Sequence, residues 1–271
     1  MDVLKRHNVK VSGKGKQPMV FAHGYGCDQN MWRFVAPAFE EKYQVVLFDY
    51  VGAGKSDESA YSREKYSQLQ GYADDILEIC HALELRDVIL VGHSVSAMIG
   101  VLAVLKEPDL FESLVMVSPS PYYISEGDYV GGFNRQDINS LLDTLDSNYL
   151  GWASAVAPVI MGKPEEPVLA EELRNSFCRA NPEIAKHFAR VTFLSDNRSD
   201  LPKVGTRSLV LQCTQDIIAP PSVGAFVHHA IPGSELVMLD ASGHCPHMSE
   251  PEQTIAAIKE FLAHPTGGKG K

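Results

Sequence analysis

Residues 88–105, VILVGHSVSAMIGVLAVL, decide the fold, because an apolar strand, a sharp turn and an apolar helix follow one another without a break. The turn is Gly92-His93-Ser94-Val95-Ser96. A nucleophile elbow requires this context: the chain reverses from strand to helix and lifts one hydroxyl, here that of Ser94, clear of the sheet edge. Small residues two positions before and after the serine let the strand and the helix pass closely. Gly92 meets that requirement, and Ser96 departs from the usual G-x-S-x-G by one hydroxymethyl group.

Short apolar runs on both sides of this segment predict a parallel sheet. They are continuous rather than alternating and rich in Val and Leu, as in strands that are buried on both faces. Tyr72, Ile76, Ile79 and Leu83 have helical spacing ahead of the run at 88–92, so strands and helices alternate along the chain. This alternation predicts an α/β fold with a mostly parallel, doubly wound sheet. The predicted strands are 19–23, 45–49, 88–92, 114–118, 208–213 and 235–239.

The alternation stops between about residues 121 and 201, where helical periods replace strands. Asn181-Pro182-Glu183 is a typical helix start, with an N-cap, a proline at the first helical position and an acid in the first turn. We therefore expect one domain: a core at 1–120 and 202–264, a helical insertion at 121–201 and a flexible tail at 265–271. The apolar stripes of the insertion are Ile138/Leu141/Leu142/Leu145, Trp152/Val156/Val159/Ile160, Leu169/Leu173/Phe177 and Phe188/Val191/Leu194.

Composition excludes several classes of protein. With 271 residues, 45% hydrophobic and 21% charged, the chain is expected to be globular, and its net charge of −10 argues against nucleic acid as a partner. The apolar stretch 97–105 is far shorter than the ~20 residues needed to cross a bilayer, and the N-terminus lacks an apolar signal core. We expect no membrane association and a cytoplasmic location. Five scattered cysteines without a CxxC pair predict reduced thiols rather than a disulfide or zinc framework.

Two polar residues complete a candidate catalytic triad with Ser94. A serine hydroxyl needs a base, and the base needs an acid that orients it. In this architecture the chain order is serine, acid, histidine. Asp216 follows the strand at 208–213, and His244 follows the last strand, so both belong to the sheet edge that carries Ser94.

Other acids and histidines fit these roles less well. Asp240 lies on the histidine's own loop rather than beyond a neighbouring strand, and Ser118 occupies a strand end but is not an acid. His244 and His247 form His-x-x-His without the HExxH helix of a zinc site, so His247 is expected to pack or lie at the surface. His93 is expected to be a hydrogen-bonded neighbour of the site rather than a second base. We predict no metal and no cofactor.

Backbone donors for a developing oxyanion are also present. His23-Gly24-Tyr25-Gly26 follows the first predicted strand, and such a turn can direct the Tyr25 N–H inward. The Val95 N–H, next to the nucleophile at a helix start, supplies the second donor. The alternative is a simple tight glycine turn at 23–26.

Two glycine motifs of nucleotide-binding proteins are incomplete in this chain. Gly54-Lys55-Ser56 lacks the first glycine of a phosphate loop, and Gly24-x-Gly26 lacks the third glycine of a dinucleotide fingerprint.

Together these residues resemble the α/β-hydrolase superfamily along essentially the whole chain. The resemblance rests on His23-Gly24-x-Gly26, Asp49-x-x-Gly52-x-Gly54-x-Ser56, Gly92-His93-Ser94, Asp216 and Gly243-His244. The strings Ser118-Pro119-Ser120-Pro121, Gly131-Gly132-Phe133 and Gly243–His247 are similar to the RsbQ-like subfamily of bacterial stress-response hydrolases. The string 94–100 is closer to the plant karrikin and strigolactone receptors, which are related to that subfamily.

The resemblance implies a four-helix lid over a buried apolar pocket lined by Phe133, Trp152, Phe193 and Ile218, each of which could equally be ordinary core. Two functions follow from it. One is a serine hydrolase that acts on a small apolar ester or lactone. The other is a slow-turnover sensor whose ligand changes a surface read by a partner protein, which in RsbQ-like systems is a stress-response phosphatase. Both use the same triad, so the motif does not separate them.

Overall fold

The computed structural model describes residues 2–264 and contains one seven-stranded sheet in the order β1-β3-β2-β4-β5-β6-β7. Six strands are parallel to one another, and only β1 runs antiparallel, against β3. The tail predicted at 265–271 lies outside the described residues. The strands are β1 Lys10–Ser12, β2 Pro18–Ala22, β3 Gln44–Leu47, β4 Val88–His93, β5 Phe111–Val117, β6 Arg207–Gln215 and β7 Glu235–Ser242.

Helices cover both faces of the sheet, as the doubly wound prediction requires. Val20 and Leu90 pack with α2 and α3 on one face, whereas Phe21 and Val91 pack with α10 on the other. This arrangement explains why the strands read as continuous apolar runs, because each strand side chain meets a helix layer. The helices are α1 Val3–Arg6, α2 Leu69–Ala82, α3 Val95–Lys106, α4 Arg135–Ser147, α5 Tyr149–Met161, α6 Pro167–Arg179, α7 Pro182–Leu194, α8 Pro221–Ala230, α9 Pro246–Ser249 and α10 Pro251–Ala263.

The six predicted strands are all present, which confirms the fold class, but the edge strand β1 was not predicted. Its three residues, Lys10, Val11 and Ser12, are all exposed and carry no apolar run. The strand forms because its backbone pairs with β3, a partner that local sequence does not reveal. No helix within residues 2–264 combines the length and hydrophobicity needed to cross a bilayer.

Four helices, α4 to α7, occupy the chain between β5 and β6 and are called the helical insertion below. Asn134 caps α4 in a reciprocal capping box with Asp137, and Asn181 caps α7 as its sequence indicates. The inward sides of these helices share one apolar cluster with the loops above the sheet. Two stripes need correction: Val159 of α5 is 47% exposed and Leu194 of α7 is 41% exposed, because each position turns away from the apolar residues of its own helix toward solvent.

Candidate active site

Ser94 lies at a sharp turn between β4 and α3. Its backbone has φ 57° and ψ −121°, a conformation that serine rarely adopts and that costs about 1–3 kcal/mol. The Ser94 N–H donates to the Val117 carbonyl at 2.8 Å, which ties the turn to β5. A Cβ on Gly92 would approach the Ser96 carbonyl oxygen to 2.4 Å, so only glycine fits there. The geometry is that of the predicted nucleophile elbow.

The structure brings Ser94, His244 and Asp216 together in a hydrogen-bonded row. His244 Nε2 lies 2.7 Å from Ser94 Oγ, and His244 Nδ1 lies 2.7 Å from Asp216 Oδ2. Because the carboxylate can only accept, Nδ1 carries the proton and Nε2 accepts from the serine hydroxyl. All three residues are less than 7% exposed. This arrangement can draw the proton from Ser94 as its oxygen attacks a carbonyl.

Asp216 is held so that one oxygen faces the histidine. Its Oδ1 accepts the backbone N–H groups of Ile218 at 2.8 Å and Ala219 at 3.0 Å. Oδ2 is thereby left for His244 Nδ1. Asp216 follows β6 directly, because that strand extends to Gln215, two residues further than its apolar run indicates.

His244 is anchored from two sides through its backbone. Its N–H donates to the Ile160 carbonyl of α5 at 2.7 Å, and its carbonyl accepts from His93 Nε2 at 2.8 Å. Both Gly243 and Gly162, where the loop and the end of α5 meet, have positive φ and are closely packed. His93 is therefore a hydrogen-bonded neighbour, and burial lowers the pKa of its imidazole well below the usual value.

His247 also lies inside the protein, 4.5 Å from the Trp32 ring between centroids. Burial lowers the pKa of His247 to about 3, so this side chain is neutral at physiological pH. It packs against His93 as well, at 4.3 Å between ring centroids. The packing role expected for His247 matches this placement.

The two residues expected to supply oxyanion donors, Val95 and Tyr25, lie on the elements around Ser94. Val95 is the first residue of α3, so its N–H has no acceptor within the helix. Tyr25 lines the same cavity as Ser94, on the loop after β2. Its hydroxyl donates to the Ala185 carbonyl of α7 at 3.1 Å, and burial raises the pKa of its phenol well above 10.

A largely apolar cavity opens onto Ser94 and His244. Trp152, Phe193 and Ile218 line it, as expected. The structure does not bring Phe133 to this cavity: Phe133 pairs with Ile124 in a short bridge and packs at the edge of the apolar cluster. The remaining lining residues are Tyr25, Cys27, His93, Tyr123, Leu141, Val156, Ile160, Leu173, Phe177, Thr192 and Cys245.

Tyr123 is a cavity residue that sequence analysis did not identify. It is 3% exposed, and its ring meets Phe193 edge-on at 5.0 Å between centroids. Burial raises the pKa of its phenol to about 12, and the neighbouring Ser94 hydroxyl opposes that shift. The residue lies in an irregular loop after β5, so no period in the sequence marks it.

A second cavity shares Tyr25 with the first and is bordered by Asp28, Arg179 and Glu58. Ser94 and His244 are absent from its lining, so of these two cavities only the apolar one adjoins the hydrogen-bonded row.

Within residues 2–264, one group of side chains has the atoms that metal ions prefer, but it is separate from Ser94. His7, Asp75 and Glu78 converge between α1 and α2. Lys65 Nζ already lies 2.7 Å from Asp75, and Arg6 pairs with Glu78. These cations balance the carboxylates, so the group is better described as a partly buried ion-pair network that connects the N-terminal segment to α2.

The chain is similar to proteins of a known family. Residues 19–257 match the family model described as the alpha/beta hydrolase family. The chain is 38% identical to karrikin insensitive 2 receptor CA of Petunia hybrida, over 97% of each chain. It is 35% identical to strigolactone esterase RMS3 of Pisum sativum, over 97% of this chain and 96% of that one. A solved hydrolase from Oleispira antarctica superimposes with a TM-score of 0.95 at 42% identity, over 97% of each chain.

Proposed function

The chain belongs to the alpha/beta hydrolase family, and from that premise we propose that it is a serine hydrolase of a small apolar ester or lactone. The observation that carries the proposal is the hydrogen-bonded row from Ser94 through His244 to Asp216 at the floor of an apolar cavity. Relatives named as esterases support the reaction class.

The proposed reaction begins when Ser94 Oγ attacks the substrate carbonyl and His244 Nε2 takes its proton. Asp216 keeps the imidazole in the required tautomer and stabilises its cationic form. The Tyr25 and Val95 N–H groups stabilise the negative oxygen, each contributing on the order of 10²–10³ in rate. His244 then protonates the leaving alcohol, and a water molecule, activated by the same histidine, hydrolyses the acyl-enzyme. No step requires a cofactor.

In this proposal the helical insertion acts as a lid. We assign 121–201 to the lid and 1–120 with 202–264 to the core, because all four insertion helices contribute side chains to the Ser94 cavity. Leu141, Trp152, Leu173 and Phe193 represent α4, α5, α6 and α7 in its lining. The apolar lining favours small uncharged substrates over polyanions or charged metabolites.

Hydrolysis of p-nitrophenyl acetate by the wild type and by Ser94→Ala tests this proposal. We expect turnover above the buffer rate in the wild type and its loss in Ser94→Ala. Ser154→Ala, which removes an exposed hydroxyl on α5, is the matched control and should keep the wild-type rate. Equal rates in the wild type and Ser94→Ala would exclude a serine hydrolase.

A second candidate is a small-molecule sensor with slow turnover, whose partner would be a signalling protein such as a stress-response phosphatase. The observation that favours it is the hydrogen bond from the His244 backbone to α5, which links the chemistry directly to the insertion. A ligand changes such a surface only if it binds one state of the lid better than the other. The relative named as a karrikin receptor is consistent with this function.

Hydrogen exchange separates the two candidates when the probe is phenylmethylsulfonyl fluoride, which sulfonylates an active serine. A sensor predicts that sulfonylated and free protein differ in amide protection across α4–α7, with a turnover number far below about 1 s⁻¹. Unchanged protection in these helices, together with turnover in the ordinary enzyme range, would contradict the sensor.

A further inference from the structure

Ser96 is completely buried and stands at the position where G-x-S-x-G has its second glycine. A Cβ at position 92 would collide with the Ser96 backbone, so the turn requires glycine there. The Ser96 side chain points elsewhere and does not meet this constraint. That side chain reaches the loop after β2: Ser96 Oγ donates to the His23 carbonyl at 2.5 Å.

The neighbouring Tyr50 hydroxyl makes a second hydrogen bond to Ser96. Tyr50 Oη lies 3.0 Å from Ser96 Oγ. A serine hydroxyl has one proton, and a carbonyl oxygen can only accept, so the Ser96 proton goes to His23 and Tyr50 must donate to Ser96. Tyr50 and Ser96 are both at most 1% exposed, so water does not compete for these hydrogen bonds. Each hydrogen bond in such a row strengthens the next.

The His23 imidazole holds the following peptide of the same loop. The Tyr50 N–H donates to His23 Nε2 at 3.2 Å, so the ring proton is on Nδ1, which donates to the Gly24 carbonyl at 2.9 Å. The Gly24 carbonyl and the Tyr25 N–H belong to one planar peptide unit, so fixing the carbonyl also fixes the direction of the N–H. Two consecutive peptide planes before Tyr25 are therefore held, the first by Ser96 and the second by His23.

We propose that Ser96 is a positioning residue for the oxyanion hole, acting through the His23 carbonyl to orient the Tyr25 N–H. The proposal rests on the proposed function, since it assigns a task to Ser96 within the same site. Without the Ser96 hydroxyl the buried His23 carbonyl loses its partner, and the first peptide plane can rotate because Gly24 has no Cβ. The second plane is then held only at the Gly24 carbonyl, by His23 Nδ1 and the Cys27 N–H, so the direction of the Tyr25 N–H is less well fixed. A misdirected donor weakens binding of the transition state and leaves binding of the neutral substrate largely unchanged.

The test compares Ser96→Ala and Ser96→Gly with the wild type on p-nitrophenyl acetate. We expect kcat to fall roughly 10- to 100-fold, less than the full loss of one donor, with KM changed by less than about threefold. Binding of phenylboronic acid, which forms a tetrahedral adduct on an active serine, should weaken in parallel with kcat. The pH profile should keep its position, because the Ser94–His244–Asp216 row is untouched. Tyr50→Phe leaves the hydrogen bond between Ser96 and the His23 carbonyl in place, so it should lower kcat less than the Ser96 variants do.

Ser113→Ala is the matched control, because Ser113 is a fully buried serine on β5 whose hydroxyl has no hydrogen-bond partner among the described residues. It should leave kcat unchanged. The inference is overturned if both Ser96 variants keep the wild-type kcat, or if they lose only thermal stability and bind phenylboronic acid as tightly as the wild type. If the wild type itself shows no Ser94-dependent hydrolysis, the proposed function fails and this inference fails with it, an outcome distinct from an active wild type with active Ser96 variants.

Discussion

The backbone N–H of His244 donates to the carbonyl of Ile160, one residue before the end of α5, at 2.7 Å. A carbonyl in the last turn of a helix has no N–H donor within that helix, so it can accept a hydrogen bond from the loop that carries the histidine. The same histidine is held from the core by His93. The proposed general base therefore sits between the sheet and the insertion, and its position depends on both.

The glycine before His244 tests this dependence. Gly243 has φ +89°, and a Cβ there would lie 2.1 Å from the Met161 carbonyl oxygen, a backbone atom that cannot rotate away. Gly243→Ala should therefore push the His244 loop off α5 and lower kcat at least tenfold. The measurement is kcat on p-nitrophenyl acetate beside the thermal unfolding midpoint.

Gly233→Ala is the matched control for that variant. Gly233 has a similar positive φ of +69° but nothing within 4 Å of the added Cβ, so it carries the backbone strain of ~1–2 kcal/mol without the clash. Its stability should fall while kcat stays near the wild type. Equal losses of kcat in the two variants would show that the contact with α5 does not position His244.

Asp216→Asn should lower kcat by roughly 10³–10⁴-fold with little change in KM, because the amide nitrogen would face His244 Nδ1 and favour the wrong tautomer. The Asn oxygen keeps the two backbone donors that now hold Asp216, so the fold should be retained. Asp240→Asn, at an exposed position on β7, is the control. A comparable loss at Asp240, or none at Asp216, would contradict the assignment.

How much of this site is readable from sequence depends on how local its cause is. The elbow at 92–96 is predictable because its causes lie within a few adjacent residues. These causes are the steric requirement for Gly92 and the direct junction of an apolar strand with an apolar helix. Asp216 and His244 are predictable because parallel strands bring their carboxyl ends to one edge. The bond between Ser96 and His23 is not predictable in this way, since it joins residues 73 positions apart through the exact packing of two loops.

The free energy of unfolding at acid pH should depend on the buried imidazole of His247. Burial lowers its folded pKa to about 3, below the unfolded value near 6.5, so the unfolded chain binds the extra proton between these values. The contribution of His247 to stability is thus complete above pH 6.5 and is lost as pH falls toward 3. His247→Phe should reduce the slope of unfolding free energy against pH by about 1.4 kcal/mol per pH unit between pH 6 and 4.

Urea unfolding at several pH values measures that slope. Trp32→Phe is the control, because it disturbs the ring that packs on His247 without removing a titrating group. It should shift the free energy at all pH values and leave the slope unchanged. A slope in His247→Phe equal to that of the wild type would show that His247 is not buried in its neutral form.

Acyl-chain preference tests the cavity. Phe193 lines it and is 7% exposed, so Phe193→Ala should enlarge the space and shift kcat/KM toward p-nitrophenyl octanoate over acetate by roughly tenfold. Phe133→Ala, which removes a similar ring outside the cavity, should leave the ratio unchanged. A shift in Phe133→Ala alone would place the substrate elsewhere.

The same pair of residues shows where sequence reasoning stops. Phe133 and Phe193 look alike as aromatic residues in the insertion, and only the packing of the helices and the preceding loop separates them. Tyr123 joins the cavity from a loop without periodicity. The edge strand β1 forms by pairing of exposed residues. In each case the cause is tertiary, and no pattern within a short window contains it.

The most direct test of the central claim is covalent labelling with a fluorophosphonate, followed by intact mass and peptide mapping. The reagent loses fluoride when an activated serine oxygen attacks its phosphorus. The proposed function predicts one phosphonyl group per wild-type chain, located on Ser94, and none on Ser94→Ala. Labelling at another residue, or equal labelling of the two proteins, would contradict the assignment of Ser94 as the nucleophile.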